Sequence, residues 1–196
     1  MTTIAPLRAV LIPRTSALTN TMLAVGGTAF MSLMAQIALP VPGSPVPITG
    51  QTLGVLLIGT AYGASLGLVT MATYLAVGVL GAPVFAQGAH GLAKLTGPTG
   101  GYLVGMLLSA FAVGALANRH WDTRLRTSFG QMLLGELLIF APGLIWLKVY
   151  TGASWSWTVT NGFTPFIVGE IIKIGLAGFT LPSLWVLVRR VRSSSI

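Results

Sequence analysis

Apolar residues fill most of this chain in six long blocks, at approximately 18–39, 49–62, 64–80, 101–117, 129–149 and 163–188. Polar character is confined to the short segments between them. Between Arg14 and Lys94 there is no Asp, Glu, Lys or Arg at all. No aqueous surface can be built from such a stretch, so lipid is the solvent and each block reads as a membrane-crossing helix. A crossing needs about 20 apolar residues, so the second and third blocks are short. They could instead form one tilted helix over 53–80, interrupted by Gly59, Gly63 and Gly67.

Charge placement decides between these readings. The net charge of +8 gathers in three clusters: Arg8 and Arg14; Arg119, Arg124 and Arg126; Arg189, Arg190 and Arg192. They flank apolar blocks, as topology-setting residues do on the cytoplasmic side. They do not form the basic patch with exposed reader residues that a nucleic-acid site requires, so nucleic acid is not an expected partner. An even number of crossings must separate Arg14 from Arg119, which requires the 53–80 stretch to be split. The expected fold is an all-α integral membrane protein, a six-transmembrane-helix bundle with both termini cytoplasmic. It comprises a cytoplasmic N-terminal segment (1–17), a transmembrane domain (18–188) and a basic tail (189–196). Composition agrees: charged residues are 7% of the chain, against about 25% in typical soluble domains, and the mean hydropathy is +0.84. With Pro6 and Pro13 ahead of the first block and no small-residue cleavage site, that block reads as a retained span rather than a signal peptide.

Several chemistries are excluded. The chain has no cysteine, which removes disulfides, thiolate metal sites and cysteine nucleophiles. His90 and His120 lie apart and outside any HExxH context, so no metal site is expected. The outer loops are unusual. Residues 40–51 read PVPGSPVPITGQ, with four prolines, and 81–101 read GAPVFAQGAHGLAKLTGPTGG. Pro and Gly at this density fix tight turns and let backbone approach a ligand closely. Their apolar content (Val46, Ile48, Val84, Phe85, Leu92, Leu95) suggests loops folded over the helix ends as a lid.

The acidic residues are Asp122, Glu136 and Glu170. Asp122 falls in the Arg-rich inner loop and needs no special explanation. Glu136 and Glu170 lie inside apolar blocks, where a carboxylate costs about 2.5–3.5 kcal/mol on insertion scales. Lys173 follows Glu170 at i+3, on the same helix face and about 4.5 Å further along the axis. With that helix starting near Gly162, Glu170 lies roughly 12 Å below the outer interface, an acid–base pair reachable from outside. Glu136 lacks a local partner. It could stay protonated, complete the Lys173 network, line the same cavity, or serve helix packing. Trp146, Lys148 and Tyr150 read as interface anchors. In the first block Ala24, Thr28 and Ser32 form a small-residue stripe, suited either to internal packing or to docking another subunit.

Four segments carry a resemblance: PVPITGQTLGVLLIG at 45–59, GAPVFAQGAHGLAKLTGPTGGYLVG at 81–105, GELLIFAPGLIWL at 135–147 and PFIVGEIIK at 165–173. GPTGGY together with GExxK is a specific combination, and on it the chain resembles the BioY family, biotin-specific substrate-binding (S) components of energy-coupling-factor (ECF) transporters. The resemblance implies a six-helix bundle in a bacterial cell membrane, with an outward pocket closed by the two loops. It implies biotin as ligand, no cofactor, and docking on a transmembrane coupling (T) subunit driven by two ATP-binding subunits. The chain has no GxxxxGK[ST] sequence and is not itself expected to hydrolyse ATP. Docking in the family uses small residues on the first helix, at Ala24, Thr28 and Ser32 here. Glu170 would accept from a ureido N–H of biotin, while Lys173 would donate to the ureido carbonyl or the carboxylate. Phe85 and Tyr102 would cover the ring and chain, with Gln51, Thr49 and Gln87 as further polar contacts and Glu136 behind them. The alternatives are an S component for another vitamin and a proton-coupled small-molecule transporter using Glu136 and Glu170. An intramembrane hydrolase would need a histidine within a span, and there is none.

Overall fold

The computed structural model describes residues 6–12 and 16–193. Arg14 of the first basic cluster and residues 194–196 of the tail lie outside the described residues. A short helix α1 (Leu7–Leu11) leads into α2 (Ala17–Gln36), capped by the Ser16 hydroxyl, which accepts from the Thr19 N–H. A two-residue hairpin ladder, β1 (Ala38–Leu39) with β2 (Ile48–Thr49), ties down the proline-rich loop, with Ala38 opposite Thr49 and Leu39 opposite Ile48. Then follow α3 (Gln51–Tyr62), α4 (Ala64–Val79), the loop helix α5 (Leu92–Thr96), α6 (Gly100–Ala117), α7 (Leu125–Thr151), α8 (Trp155–Gly162) and α9 (Ile167–Ser193).

A helix therefore stands at each of the six apolar blocks. Four helical stretches are long and apolar enough to cross a membrane: Ala17–Gln36, Gly100–Ala117, Leu125–Thr151 and Trp155–Val191. Helices α3 and α4, with 12 and 16 residues, fall short of that length. They are nevertheless two helices. Gly63 between them sits at φ 80°, ψ 175°, backbone space open essentially to glycine alone, so the chain reverses there. A Cβ at this position would stand 2.6 Å from the Asn118 Oδ1 atom.

Helix α6 forms the centre. It packs most extensively on α7 and also against α3 and α4, while α2 lies on α4, and α9 on α7 and α3. The core around Val55, Met71, Tyr74, Met106, Ala110 and Ile139 is buried.

Two expectations are corrected, and one alternative is decided at the level of packing. The last helix begins at Ile167 rather than near Gly162, because Pro165 sits in a 3₁₀ turn (Thr164–Phe166) and α8 precedes it. Glu170 consequently falls in the first turn of α9, where unpaired N–H groups favour a carboxylate. Asp122 does need an explanation, because it is fully buried: its Oδ2 accepts from the Trp185 indole N–H at 2.6 Å, and Oδ1 has no partner among the described residues. Burial raises its pKa above the usual carboxylate range, opposed by the Trp185 bond and by His120. The α2 stripe turns inward. Ala24 and Thr28 are buried, and the Thr28 hydroxyl donates to the Thr70 carbonyl of α4 at 3.4 Å; Ser32 is half-buried and donates to the Thr28 carbonyl. The small residues thus allow close approach of α2 and α4 within this chain, the internal-packing alternative of the two that the stripe suits.

Candidate functional site

At one end of the bundle the two Pro/Gly-rich loops fold over a pocket between α3, α6, α7 and α9. The loops are drawn in closely over it, and the cavity left beneath them is about 40 Å³. From the first loop come Val46, Pro47 and Thr49, and from the second Phe85, Ala86, Lys94 and Thr99; the helices supply Gln51, Thr52, Tyr102, Phe140 and Glu170, among others. The loops thus form a covering, as their apolar content suggests.

The polar wall is a closed network. Lys173 Nζ donates to Glu170 Oε1 at 2.8 Å, to the Thr49 carbonyl at 2.6 Å and to Thr52 Oγ1 at 2.9 Å. The Thr52 hydroxyl donates in turn to Glu170 Oε2 at 2.8 Å. An ammonium has three donors, and all three are engaged. A carboxylate offers about four acceptor sites, so Glu170 retains room for donors arriving from the pocket. Because the pair's side chains are 12% and 8% exposed, removing one partner would strand a desolvated charge on the other.

Gln51 and Thr49 join this wall. The Gln51 amide donates to the Tyr74 hydroxyl at 2.9 Å, and Gln51 Oε1 accepts from the Thr49 hydroxyl at 3.1 Å. Tyr74 donates to the Val84 carbonyl at 3.0 Å, holding the second loop by its start. Phe85 is fully buried, edge-on to Tyr74 at 5.5 Å, and its ring lies on Gly78, where a Cβ would collide with it. Tyr102 is buried, donates to the Gly162 carbonyl at 2.9 Å and meets Phe140 edge-on. Phe140 also contacts Phe163 and Phe166. These rings make an apolar, rigid floor.

Gln87 is exposed at φ 62° and is not among the lining residues; its loop turns it outward. Glu136 is buried but opens on a different crevice, between α7 and α9, which also reaches Glu170 and Phe140. Trp146, expected as an interface anchor, donates its indole N–H to the Gly97 carbonyl at 2.8 Å and so holds the second loop. Three residues were missed from the sequence. Thr52 bridges the acid–base pair. Gln36 clips the second loop, donating to the Phe85 carbonyl at 3.2 Å and accepting from the Gly88 N–H at 3.0 Å. Lys94 lines the pocket half-buried, and desolvation lowers its pKa, with no acidic side chain against it among the described residues. Its signal was present: it is the one Lys or Arg in 81–101.

The site can therefore accept hydrogen bonds at Glu170, enclose an apolar ring system, and neutralise an anion at Lys94. Known proteins resemble this chain in sequence and in fold. The sequence model of the BioY family matches residues 8–190. The chain is 36% identical to Biotin transporter BioY2 of Lactococcus lactis subsp. cremoris over 75% of this chain and 79% of that protein. It is also 36% identical to Biotin transporter BioY of Thermotoga maritima, over 76% of this chain and 86% of that protein. Its fold is similar to the crystal structure of the S-component for biotin from an ECF-type ABC transporter, with a TM-score of 0.77 and 26% identity, covering 92% of this chain and 95% of that one.

Proposed function

The chain belongs to the BioY family, and on that premise we propose that it is the biotin-capturing S component of an ECF-type transporter. It takes biotin from outside into the pocket under the two loops, and it docks on a coupling subunit energised by two ATP-binding subunits. The chain crosses the cell membrane six times, α3 and α4 being the short pair, with both termini cytoplasmic. Biotin needs no cofactor to be bound.

The observation that carries the ligand assignment is the complementarity of the pocket. The ureido ring presents two N–H donors and a carbonyl, and Glu170 retains acceptor sites while Thr52 and Lys173 hold it in place. Phe85, Tyr102 and Phe140 enclose the apolar ring and chain. The three donors of Lys173 are already satisfied, whereas Lys94 has no acidic partner, so Lys94 receives the tail carboxylate and Lys173 serves the ureido end. Glutamates acting as proton carriers would need no such fit to biotin, and uptake would then follow pH without ATP.

The test is binding of radiolabelled biotin to the purified chain. Saturable binding is expected, displaced by unlabelled biotin and not by other vitamins. In Lys173→Met it should weaken by roughly a hundredfold, since stranding one member of a buried pair costs about 3 kcal/mol or more. Absence of binding by a folded parent chain would refute the assignment.

A further inference from the structure

Three ionisable side chains meet where α7 faces α9. Glu170 and Lys173 neutralise one another at 2.8 Å. Glu136 is 7% exposed, and neither of its carboxyl oxygens receives a hydrogen bond from a described residue. It opens on the crevice that also reaches Glu170, walled by Leu133, Leu137, Ile167 and Ile171. Glu136 and Glu170 line this one crevice, with Glu136 in electrostatic reach of both Glu170 and Lys173. Among the described residues no other charged group stands beside it: the arginines of α9 lie in its last turns. The other elements packed on α7 are α3, α6 and α8, which contain no charged residue, and the 121–123 turn, whose Asp122 is bonded to Trp185. The charged residues of α7 itself, Arg126 and Lys148, lie near its ends.

Two carboxylates beside one ammonium would leave a net negative charge in an apolar crevice, with two acceptors face to face. One proton removes both penalties. It belongs on Glu136, because Glu170 is the carboxylate that receives an ammonium, a hydroxyl and the first turn of a helix, all of which favour the anion. We propose that Glu136 is a neutral carboxylic acid donating its O–H to Glu170, and is thereby the positioning residue that holds Glu170 as the pocket's anionic acceptor. The positioning role rests on the biotin assignment above, whereas the protonation of Glu136 does not.

Infrared spectroscopy of the full chain in lipid nanodiscs at neutral pH reads the proton directly. The parent minus Glu136→Gln difference spectrum should carry the carbonyl band of a protonated carboxyl group, and its absence overturns the proposal. Labelled-biotin binding reads the positioning. Glu136→Gln keeps a neutral donor and should bind within about twofold of the parent, whereas Glu136→Leu fills the crevice without a donor and should bind about tenfold more weakly, the effect of losing a hydrogen bond to a charged group. Equal affinity in Glu136→Leu, or a loss in Glu136→Gln as large as in Glu136→Leu, overturns the positioning role. A parent that binds no biotin refutes the ligand assignment instead, and the infrared band still decides the protonation of Glu136.

Discussion

Lys94 and Lys173 carry the same chemical group and are set for different work by their surroundings. Lys173 has exhausted its donors on Glu170, Thr49 and Thr52 and fixes the shape of the pocket wall. Lys94 sits half-desolvated at the mouth, and burial lowers its pKa from the ordinary lysine value. A carboxylate arriving beside it restores a partner, so it binds tightly only while Lys94 is protonated. Affinity is full below the free-state pKa of Lys94 and falls as pH rises through it. Because that pKa is depressed, the fall begins at lower pH than for an unperturbed lysine. Lys94→Gln should weaken biotin binding at neutral pH by about tenfold, at the low end for a charged hydrogen bond because the site is half open. It should also flatten the alkaline decline. Biotin methyl ester gives the matching control: it should bind the parent poorly, and the preference for acid over ester should vanish in Lys94→Gln. Equal alkaline decline in parent and variant would place the carboxylate elsewhere.

The second loop, between α4 and α6, is held over the pocket by four side-chain hydrogen bonds from three helices. Gln36 of α2 grips its backbone at Phe85 and Gly88, Tyr74 of α4 holds Val84, and Trp146 of α7 holds Gly97. Loosening one of these should speed ligand release without unfolding the bundle. Trp146→Phe keeps an aromatic ring and removes the N–H. With a net hydrogen bond worth about 1 kcal/mol, stopped-flow release of biotin should accelerate roughly fivefold while the melting temperature barely changes; an unchanged release rate would show that the loop is held by packing alone. Little of this clip was legible in the sequence. Hydropathy located all six helical blocks, and charge parity correctly split 53–80 at Gly63, because both signals are sums over many residues. The start of the last helix was misjudged because Phe163 and Phe166 extend the apolar block, and hydropathy does not register a 3₁₀ turn. Glu170 and Lys173 were visible as charges where charge is costly. Thr52, Gln36 and the indole of Trp146 were not, since an uncharged hydrogen-bonding group announces its role only through a partner distant in sequence. The α2 stripe was ambiguous for the same reason: small residues permit close approach but do not say which helix approaches.

At the scale of the whole molecule, the two ends of the bundle differ in kind. At one end Lys173 reaches Thr49, Tyr102 reaches Gly162 and Trp146 reaches Gly97, drawing the loops and α8 over the pocket. At the other, Gly63 lies against Pro6 and Asn118, and Asp122 accepts from Trp185. These contacts bring Arg8, the Arg119–Arg126 segment and the last turns of α9 to a common end, the one opposite the pocket. The reversal at Gly63 between α3 and α4 is what returns the chain to that end, as the proposed even number of crossings between Arg8 and Arg119 requires. If the basic end is cytoplasmic, as arginine excess in short loops dictates, the pocket faces outward and captures its ligand before any energised step. The absence of cysteine makes this directly measurable. Single cysteines at His90 and Ser154, both exposed near the pocket end, should react with a membrane-impermeant maleimide added to intact cells. A cysteine at Thr123 should react only after the membrane is opened. Labelling at position 123 in intact cells, with protection at 90 and 154, would invert the molecule and place the pocket inside. Labelling of all three from outside would mean an odd number of crossings between the second loop and the 121–123 turn is wrong, and with it the reading of α6 as a single span.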